Sequence, residues 1–387
     1  MMPHNLRLLP LIGLLALPAQ ADVGEADRLF SNAMLEISQN KLDHALSSVN
    51  SLLERHPNFR LAQLIKGDLL LARARPISTL GNAPGAREQQ AELREEAKAR
   101  IQAINAPVNP DLIPQELLQV ASETRYVIAV DASRARLYVF ENTANGMRRA
   151  ADFYVTVGKF GTGKNKEGDK RTPIGLYTIT GFKPDSELEE LYGIGAYPLS
   201  YPNEWDARNG RNGHGIWLHG VPRDTYSRPP KASDGCVVLS NDDLKNLGRY
   251  IKIGQTPVII APSLTWVDAD LLQSARDELQ QAVDRWRKDW ESRDTARLLE
   301  NYSRDFQSDG QGYQAFAESK RRVNAAKSWI KVDIERLSIY RQPGDKDMAI
   351  LVFDQDYKSS NLNNVSRKRQ YWQRENGRWR IIQETIL

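Results

Sequence analysis

The spacing of apolar residues changes twice along the chain, and these changes constrain the fold more than any other feature of the sequence. Apolar positions recur at helical spacing over 26–65, alternate or cluster as in β-strands over 126–260, and return to helical spacing over 271–290. Further β-rich segments follow up to the last residue. Because 387 residues exceed what one hydrophobic core usually serves, we predict a multidomain protein.

The first segment, 22–122, predicts an α-helical region followed by a linker. Two helices form a hairpin, a His-Pro-Asn break at 56–58 ends it, and a third helix follows. The pattern resembles a degenerate tetratricopeptide repeat, with about one and a half repeats where a stacked array needs about three. We therefore expect this region to pack on its neighbour. A loop over 76–85, a charged helix over 91–104 and a proline-rich linker complete the segment.

The rest of the chain predicts a mostly-β domain over 124–261 and an α+β domain over 269–387. The mostly-β domain ends with a short helix, which Ser240 and Asp243 open as a capping box. The last domain starts with the amphipathic helix and continues with strands over 332–387. This order of elements resembles the nuclear-transport-factor and SnoaL-like cone.

Residues 1–21 have the features of a secretory signal peptide. A short start with one basic residue, Arg7, precedes an apolar stretch over 8–17, and Ala-Gln-Ala at 19–21 provides the small residues that a signal peptidase requires. An uncleaved anchor is the alternative, but the apolar stretch is too short to span a bilayer comfortably. We expect cleavage before Asp22, export to the periplasm and no transmembrane span in the mature protein.

The chain has one cysteine, Cys236, which cannot form an internal disulfide. In an oxidising compartment an unpaired thiol either has a chemical function or is a buried, inert residue. The cysteine count alone leaves these two interpretations open, so the residues around Cys236 decide between them.

A nucleophilic cysteine needs a base or a cation close to its thiol. Only two of the five histidines, His214 and His219, lie in the mostly-β segment. If both lie on one strand, their odd spacing puts them on opposite faces, so we expect only one of them to face Cys236. The same argument disfavours a zinc site built from these three residues, and no paired-cysteine spacing exists. We therefore predict no metal and no cofactor.

Short motifs occur in a fixed order along 124–261. Val-Gly-Lys at 157–159 and Arg-Thr-Pro-Ile-Gly-Leu-Tyr at 171–177 precede Leu-His-Gly at 218–220, and sixteen residues separate His219 from the cysteine of Ser-Asp-Gly-Cys at 233–236. This arrangement resembles the catalytic domain of the L,D-transpeptidase (YkuD) family. With its helical N-terminal region and its C-terminal cone, the whole chain resembles the cell-shape L,D-carboxypeptidases of helical bacteria.

The resemblance implies a peptidoglycan L,D-transpeptidase in which Cys236 is the nucleophile and His219 the general acid and base. The thiolate would attack the carbonyl between diaminopimelate and the terminal D-alanine of a tetrapeptide stem and form a thioester. The backbone at Gly235 would hold the oxyanion, and a backbone carbonyl at Gly220 would orient His219. An amine then completes transpeptidation, whereas water completes carboxypeptidation, and the residues at Cys236 do not distinguish the two.

Further residues are assigned to substrate binding, each beside a structural alternative. Ser233 shapes the turn before Cys236, and Asp234 either meets the ammonium group of the substrate or forms the turn. Arg223, with the other cations of the same loop, Arg228 and Lys231, either meets a substrate carboxylate or is a solvated charge. Tyr201 is either a hydrogen-bond donor in the pocket or a core residue.

The chain departs from the family pattern at two positions beside Cys236. Asp234 stands where many members have histidine, and Val238 where many have an arginine that is linked to anchoring the active-site region or the donor carboxylate. A non-catalytic peptidoglycan-binding module therefore stays open as an alternative to the enzyme.

The expected partners follow from these predictions. Peptidoglycan stem peptides would bind at 124–261, and another envelope protein would bind the helical region or the cone. We expect the cone to bind glycan, peptide or protein rather than to catalyse. The net charge of +4, from 53 basic and 49 acidic residues, is too weak to indicate nucleic-acid binding.

Overall fold

The structure, a computed structural model, describes residues 22–23, 25–74, 81 and 87–387. The expected signal peptide at 1–21 and, apart from residue 81, the expected loop at 76–85 lie outside the described residues. Within the part that is described, no helix combines the length and the apolar character needed to cross a membrane.

The N-terminal region is helical, as predicted. Its elements are β1 Asp22–Val23, α1 Glu25–Ser38, α2 Leu42–Arg55, α3 Arg60–Ala72 and α4 Arg87–Asn105. Apolar residues at the predicted helical spacing, among them Phe30, Val49 and Ile65, form one buried cluster. Helix α4 begins at residue 87 rather than at the predicted residue 91.

The linker and the mostly-β segment alternate short strands with loops. Their elements are β2 Ile113–Pro114, β3 Leu117–Gln119, β4 Tyr126–Asp131, β5 Arg136–Thr143, β6 Gly146–Tyr154, β7 Val157–Gly158, β8 Gly175–Thr178, β9 Lys183–Pro184, β10 Gly195–Pro198, α5 Glu204–Arg208, β11 Trp217–His219, β12 Lys231–Ser233, β13 Val237–Val238, α6 Asn241–Leu247 and β14 Pro257–Ala261. The predicted start of α6 is confirmed, because the Ser240 hydroxyl accepts a hydrogen bond from the Asp243 amide at 3.1 Å.

Two sheets enclose the core of this central segment. The larger has the order β1-β6-β5-β4-β14-β8, and the smaller has the order β13-β11-β10-β9 with β11 and β13 parallel. Ile128 and Ile260 of the larger sheet and Leu218 and Val237 of the smaller belong to one buried cluster. Side chains that alternate with Leu218 and Val237 therefore point away from this core.

The C-terminal part combines helices with a strongly paired antiparallel sheet. Its elements are β15 Trp266–Val267, α7 Gln273–Glu291, α8 Thr295–Leu299, β16 Tyr302–Ser308, β17 Gln311–Gly312, α9 Tyr313–Ala325, β18 Ile330–Arg341, β19 Met348–Ser359, β20 Leu362–Glu375 and β21 Arg378–Ile386. The prediction of a long first helix and four last strands is confirmed. Helix α9 was not predicted, because among its mostly polar residues only Ala317 and Asn324 are buried.

The segment predicted as a linker joins the sheet of the cone. Strand β3 pairs antiparallel with β18, with Leu117 opposite Tyr340 and Gln119 opposite Ile339, and β2 pairs with β15. The sheet order is therefore β17-β16-β21-β20-β19-β18-β3. Leu118 is 3% exposed, so burial of apolar side chains holds this short strand in place.

The central segment and the cone share a hydrophobic core. The rings of Tyr138 and Phe140 on β5 lie 4.8 and 6.1 Å from that of Trp266, and the same buried cluster reaches Trp286 on α7. The predicted multidomain fold class, with helical region, mostly-β segment and α+β cone, is confirmed. The two β-rich parts pack as one body.

Candidate active site

His219 ends strand β11, and Cys236 directly precedes the adjacent parallel strand β13. Leu218 pairs with Val237 and His219 with Val238. Because Leu218 and Val237 are buried in the core of the central segment, the alternating residues His219 and Cys236 project from the opposite face. The two are diagonal neighbours there, so the strand pairing brings the predicted base to the predicted nucleophile.

His214 does not lie on the strand of His219, so the expectation that both occupy one strand is wrong. Strand β11 begins at Trp217, and Gly213 and Gly215 before it have φ angles of +101° and +73°, which an extended strand does not use. The His214 side chain is 81% exposed, with Nδ1 3.7 Å from a carboxylate oxygen of Glu167. His219 is therefore the histidine that accompanies Cys236.

His219 is held by the backbone beside it. Its Nδ1 lies 2.6 Å from the Gly220 carbonyl oxygen, and the side chain is buried, at 3% exposure. A carbonyl accepts hydrogen bonds only, which assigns the ring proton to Nδ1 and leaves Nε2 as a proton acceptor. Burial lowers the pKa of His219 to about 4, although the Gly220 bond opposes that change. The imidazole is therefore neutral at ordinary pH.

Asn241, at the first position of α6, fixes the chain that follows His219. Its Oδ1 accepts hydrogen bonds from the amides of Val221 and Ile194 at 3.2 and 3.3 Å, and its Nδ2 donates to the Val221 carbonyl at 2.9 Å. A Cβ on Gly220 would lie 2.1 Å from Asn241 Oδ1, which explains glycine at that position. Asn241 was not predicted as a site residue, because nothing local in the sequence marks a contact across some twenty residues.

The Cys236 thiol is neutral in the resting state. It donates a hydrogen bond to the Gly215 carbonyl at 3.2 Å. Desolvation raises its pKa to about 11, although the residue stays partly exposed, while the Trp217 amide and the cations Lys164 and Arg228 act in the opposite direction. The imidazole of His219 is neutral as well, so the two groups do not form a thiolate–imidazolium ion pair.

The turn before Cys236 is locked by Ser233. The Ser233 hydroxyl donates to the Cys236 carbonyl at 2.6 Å and accepts from the Gly235 amide at 3.1 Å. Gly235 has a φ of +130°, which disfavours any side chain. The Gly235 N–H, expected to hold an oxyanion, is therefore occupied by Ser233, and what the turn requires of Gly235 is its conformation.

The upstream motifs pack under this turn. The Thr172 hydroxyl donates to the Gly235 carbonyl at 2.9 Å and accepts from the Gly158 amide at 2.8 Å. A Cβ on Gly158 would lie 2.5 Å from the Lys170 carbonyl oxygen, and one on Gly235 would lie 2.8 Å from that of Arg171. The motifs at 157–159 and 171–177 thus meet the Cys236 turn through one threonine, a role that motif spacing alone did not reveal.

The residues assigned to substrate binding lie at different distances from this centre. Asp234 is 83% exposed on the turn, with a carboxylate oxygen 3.3 Å from Lys170 Nζ. Arg223 forms an ion pair with Asp185, and its amide donates to Glu190. Tyr201 is buried, with its hydroxyl donating to the Asn212 carbonyl at 2.9 Å. Asp234 is therefore on the rim, whereas Arg223 and Tyr201 have protein partners elsewhere.

An aromatic wall beside His219 was not predicted. The Tyr192 ring lies 5.0 Å from the His219 ring in an edge-on geometry and 4.9 Å from that of Trp217. Lys183 Nζ lies 5.9 Å from the Trp217 ring. Desolvation raises the pKa of Tyr192, and the negative charge of a Cys236 thiolate would raise it further.

Comparison with family models gives two matches. The chain matches the L,D-transpeptidase catalytic domain over residues 125–260 and the Cds6 C-terminal NTF2-like domain over residues 278–385. Among curated proteins, no significant match to the chain was found.

Solved structures resemble the chain over most of its length. Bd1075 of Bdellovibrio bacteriovorus is 30% identical, with 71% of this chain and 98% of that chain covered and a TM-score of 0.63. The helical cell shape determining protein Pgp2 of Campylobacter jejuni is 21% identical, with 70% and 95% covered and a TM-score of 0.59. At that lower identity the similarity shows the fold alone.

Proposed function

The chain belongs to the L,D-transpeptidase catalytic-domain (YkuD) family, and we propose that it modifies peptidoglycan stem peptides through a thioester on Cys236. Members of this family modify peptidoglycan, which lies outside the cytoplasm. The proposal therefore includes export to the periplasm, which residues 1–21 are predicted to direct. A role in cell wall remodelling and cell shape is part of the proposal, since Pgp2 is a helical cell shape determining protein.

The observation that carries the proposal is the paired arrangement of His219 and Cys236. The two project from one face of adjacent strands, and the Gly220 contact leaves His219 Nε2 free to accept a proton. A buried cysteine that only filled space would not need a desolvated imidazole with a defined tautomer beside it. This arrangement favours the enzyme over a binding module.

The proposed donor step starts from two neutral groups. As the sulfur attacks the carbonyl carbon between diaminopimelate and D-alanine, His219 Nε2 takes the thiol proton. The Cys236 amide is the oxyanion donor that we propose, because the Gly235 amide already donates to Ser233. His219 then gives the proton to the nitrogen of the departing D-alanine, and the peptide remains as a thioester.

The second step decides between the two activities of this family. His219 takes a proton from the acceptor, the acceptor attacks the thioester carbonyl, and the proton returns to the sulfur of Cys236. An amine from a neighbouring stem gives a 3-3 crosslink, which is transpeptidation. Water gives a tripeptide, which is carboxypeptidation. We propose transpeptidation first, with carboxypeptidation as the alternative outcome of the same donor chemistry.

Muropeptide analysis of sacculi rich in tetrapeptides tests the proposal. The full chain is incubated beside Cys236→Ala, which removes the nucleophile and leaves the fold in place. New 3-3 crosslinked dimers that disappear in the variant would establish transpeptidation, and tripeptides without dimers would establish carboxypeptidation. Products identical with both proteins would contradict an enzymatic role and favour a peptidoglycan-binding module.

A further inference from the structure

The loop that connects His219 to Cys236 is held by the helical region. This His–Cys loop, residues 221–230, contacts three separate positions there. The Ser227 hydroxyl donates to Glu96 at 2.6 Å, and Asn58 Nδ2 donates to the carbonyl of Arg223 at 3.0 Å. These two contacts are hydrogen bonds, and their helical partners lie on α4 and on the turn between α2 and α3.

An aromatic contact forms the third attachment. The Tyr226 ring lies 4.4 Å from the ring of Phe59 and 4.7 Å from that of His56. Phe59 is fully buried, so Tyr226 inserts from the loop into the edge of the helical core. The region that the sequence predicted to pack on its neighbour thus packs on the loop between the two reactive residues.

On the helical side of this contact, the charged groups are buried and paired with each other. Glu96 is 1% exposed and pairs with Arg100 at 2.9 Å. The Arg100 guanidinium lies 5.0 Å from the Phe59 ring and 4.0 Å from that of Tyr154 on β6. Loss of the Ser227 hydrogen bond would leave the buried Glu96 carboxylate with one partner fewer, which costs free energy. This cost favours the observed position of Ser227.

The other side of the loop is fixed to the central segment. The Tyr154 hydroxyl donates to the Arg228 carbonyl at 2.9 Å, and the Thr156 hydroxyl donates to the Pro229 carbonyl at 2.8 Å. The loop is therefore clamped between the helical region and the end of β6. Arg228 lies at the clamped position, with Nη2 3.4 Å from the Leu191 carbonyl, next to Tyr192 of the aromatic wall.

We propose that the helical region is a brace for the active site, in which Tyr226 and Ser227 are positioning residues that hold the His–Cys loop and keep the Arg228 guanidinium at the Leu191 carbonyl, beside the Tyr192 ring that packs on His219. The brace itself stands on the contacts above, while its effect on turnover rests on the proposed function. Without the brace, the loop keeps its hydrogen bonds to Tyr154 and Thr156 but samples more conformations, so the Arg228 side chain would leave its position beside Tyr192 for part of the time.

Because Arg228 is charged, a change in its position can be measured through the titration of the Cys236 thiol. The charged groups that act on Cys236 are Asp234, Lys164 and Arg228, and Arg228 is the charged side chain that acts on His219. The Arg228 cation lowers the pKa of both Cys236 and His219. Displacing it therefore raises the pKa of the thiol and of the imidazole.

The test compares Tyr226→Leu/Ser227→Ala with Thr225→Ala in the full chain. Thr225 is the matched control, because its hydroxyl bonds to Asp224 within the same loop and not to the helices. Hydrogen exchange of amides 221–230 and the pH profile of Cys236 alkylation by iodoacetamide are measured for each protein. In the double variant we expect faster exchange and a thiol midpoint about half a unit higher, which lowers the thiolate fraction about threefold. Thr225→Ala should match the parent protein.

Arg228→Gln shows whether the brace acts through Arg228. In the parent background this change should raise the thiol midpoint without altering loop exchange. In the double variant the same change should raise the midpoint by less than in the parent background, because Arg228 is already displaced for part of the time. An unchanged midpoint and unchanged exchange in the double variant, or a fully additive effect of Arg228→Gln, would overturn the proposal. If the double variant does not fold, Ser227→Ala alone is used, with the same expected directions.

These readouts do not require turnover, so they separate the brace from the reaction. A shifted thiol midpoint together with unchanged muropeptides would keep the brace and reject the proposed function. Turnover in the parent protein with no shift in the double variant would keep the function and reject the brace. Tyr226→Phe retains the ring that contacts Phe59 and His56 and removes only the hydroxyl that bonds to Ser240, so its effect in both assays should be smaller than that of the double variant.

Discussion

Burial determines the charge of the residue that we propose as the base. The pKa of His219 is lowered to about 4, first by desolvation, and the pKa of Cys236 is raised to about 11 for the same reason. Neither group gains charge by being next to the other in the resting state. The site is therefore unlike one that stores a thiolate and an imidazolium before substrate arrives.

The pH dependence of kcat/KM should report this state of His219. The base form is the neutral imidazole, which exists above its pKa, so activity should persist down to about pH 5 and fall as the pH drops through about 4. Release of tripeptide or dimer from a soluble tetrapeptide donor, followed from pH 3 to pH 9, measures the profile. An acidic limb near the ordinary histidine value of about 6.5 would show that the imidazole is hydrated or paired with a charge.

At the scale of elements, a single threonine joins three segments. Thr172 is fully buried, and its hydroxyl connects the amide at the end of β7 to the carbonyl of the turn before β13. Both backbone groups are buried with it, so neither has water as a substitute partner. The segment that leads into β8 therefore holds the position of the Cys236 turn.

Thr172→Val should destabilise the protein by about 2 kcal/mol or more, because it leaves the Gly158 amide and the Gly235 carbonyl unpaired while it preserves the shape of the side chain. The loss of activity should be larger than the loss of stability alone explains, since the turn that carries Cys236 loses its hydrogen bond to Thr172. Thr172→Ser is the control, because it keeps the hydroxyl and loses one methyl group, which costs about 1 kcal/mol. Urea unfolding and thiol alkylation measure both effects. Equal behaviour of the two variants would refute the bridging role.

At the scale of the whole molecule, the central segment and the cone are linked at several places. Strand β3 precedes the central segment in the chain but completes the sheet of the cone, and β2 pairs with β15 after it. The rings of Trp205 on α5 and Tyr371 on β20 stack with centroids 5.1 Å apart. The two parts should therefore unfold together.

Leu118→Ala tests this cooperation. Leu118 is 3% exposed in the shared core, so its truncation should cost about 2–5 kcal/mol. Unfolding in urea is followed by tryptophan fluorescence and by the reactivity of Cys236, and we expect both probes to shift to the same lower midpoint. Leu35→Ala is the control, since Leu35 is 55% exposed and its truncation should cost less than about 0.5 kcal/mol. Two separate transitions would show that the parts fold independently.

Local patterns in the sequence determined the types of the elements and the family to which the chain belongs. Helical and alternating spacing predicted the first helices, the long helix α7 and the last four strands, because one-sided burial imposes these periods on any chain. The presence of one cysteine and the order of short motifs predicted the family, which the comparisons confirm. These features depend on residues close together in sequence, or on spacings that a single strand pairing preserves.

Only the tertiary structure decided which distant groups meet. Part of the predicted linker forms β3 because it pairs with the edge of a sheet whose strands lie more than two hundred residues later in the chain. Long-range contacts place three unpredicted residues at the site: Asn241, Tyr192 and Thr172. Two predicted groups have protein partners instead, since the Gly235 amide donates to Ser233 and Arg223 forms an ion pair with Asp185. A hydrogen bond depends on distances of tenths of an ångström, and such distances are set by packing of the whole chain rather than by any local pattern.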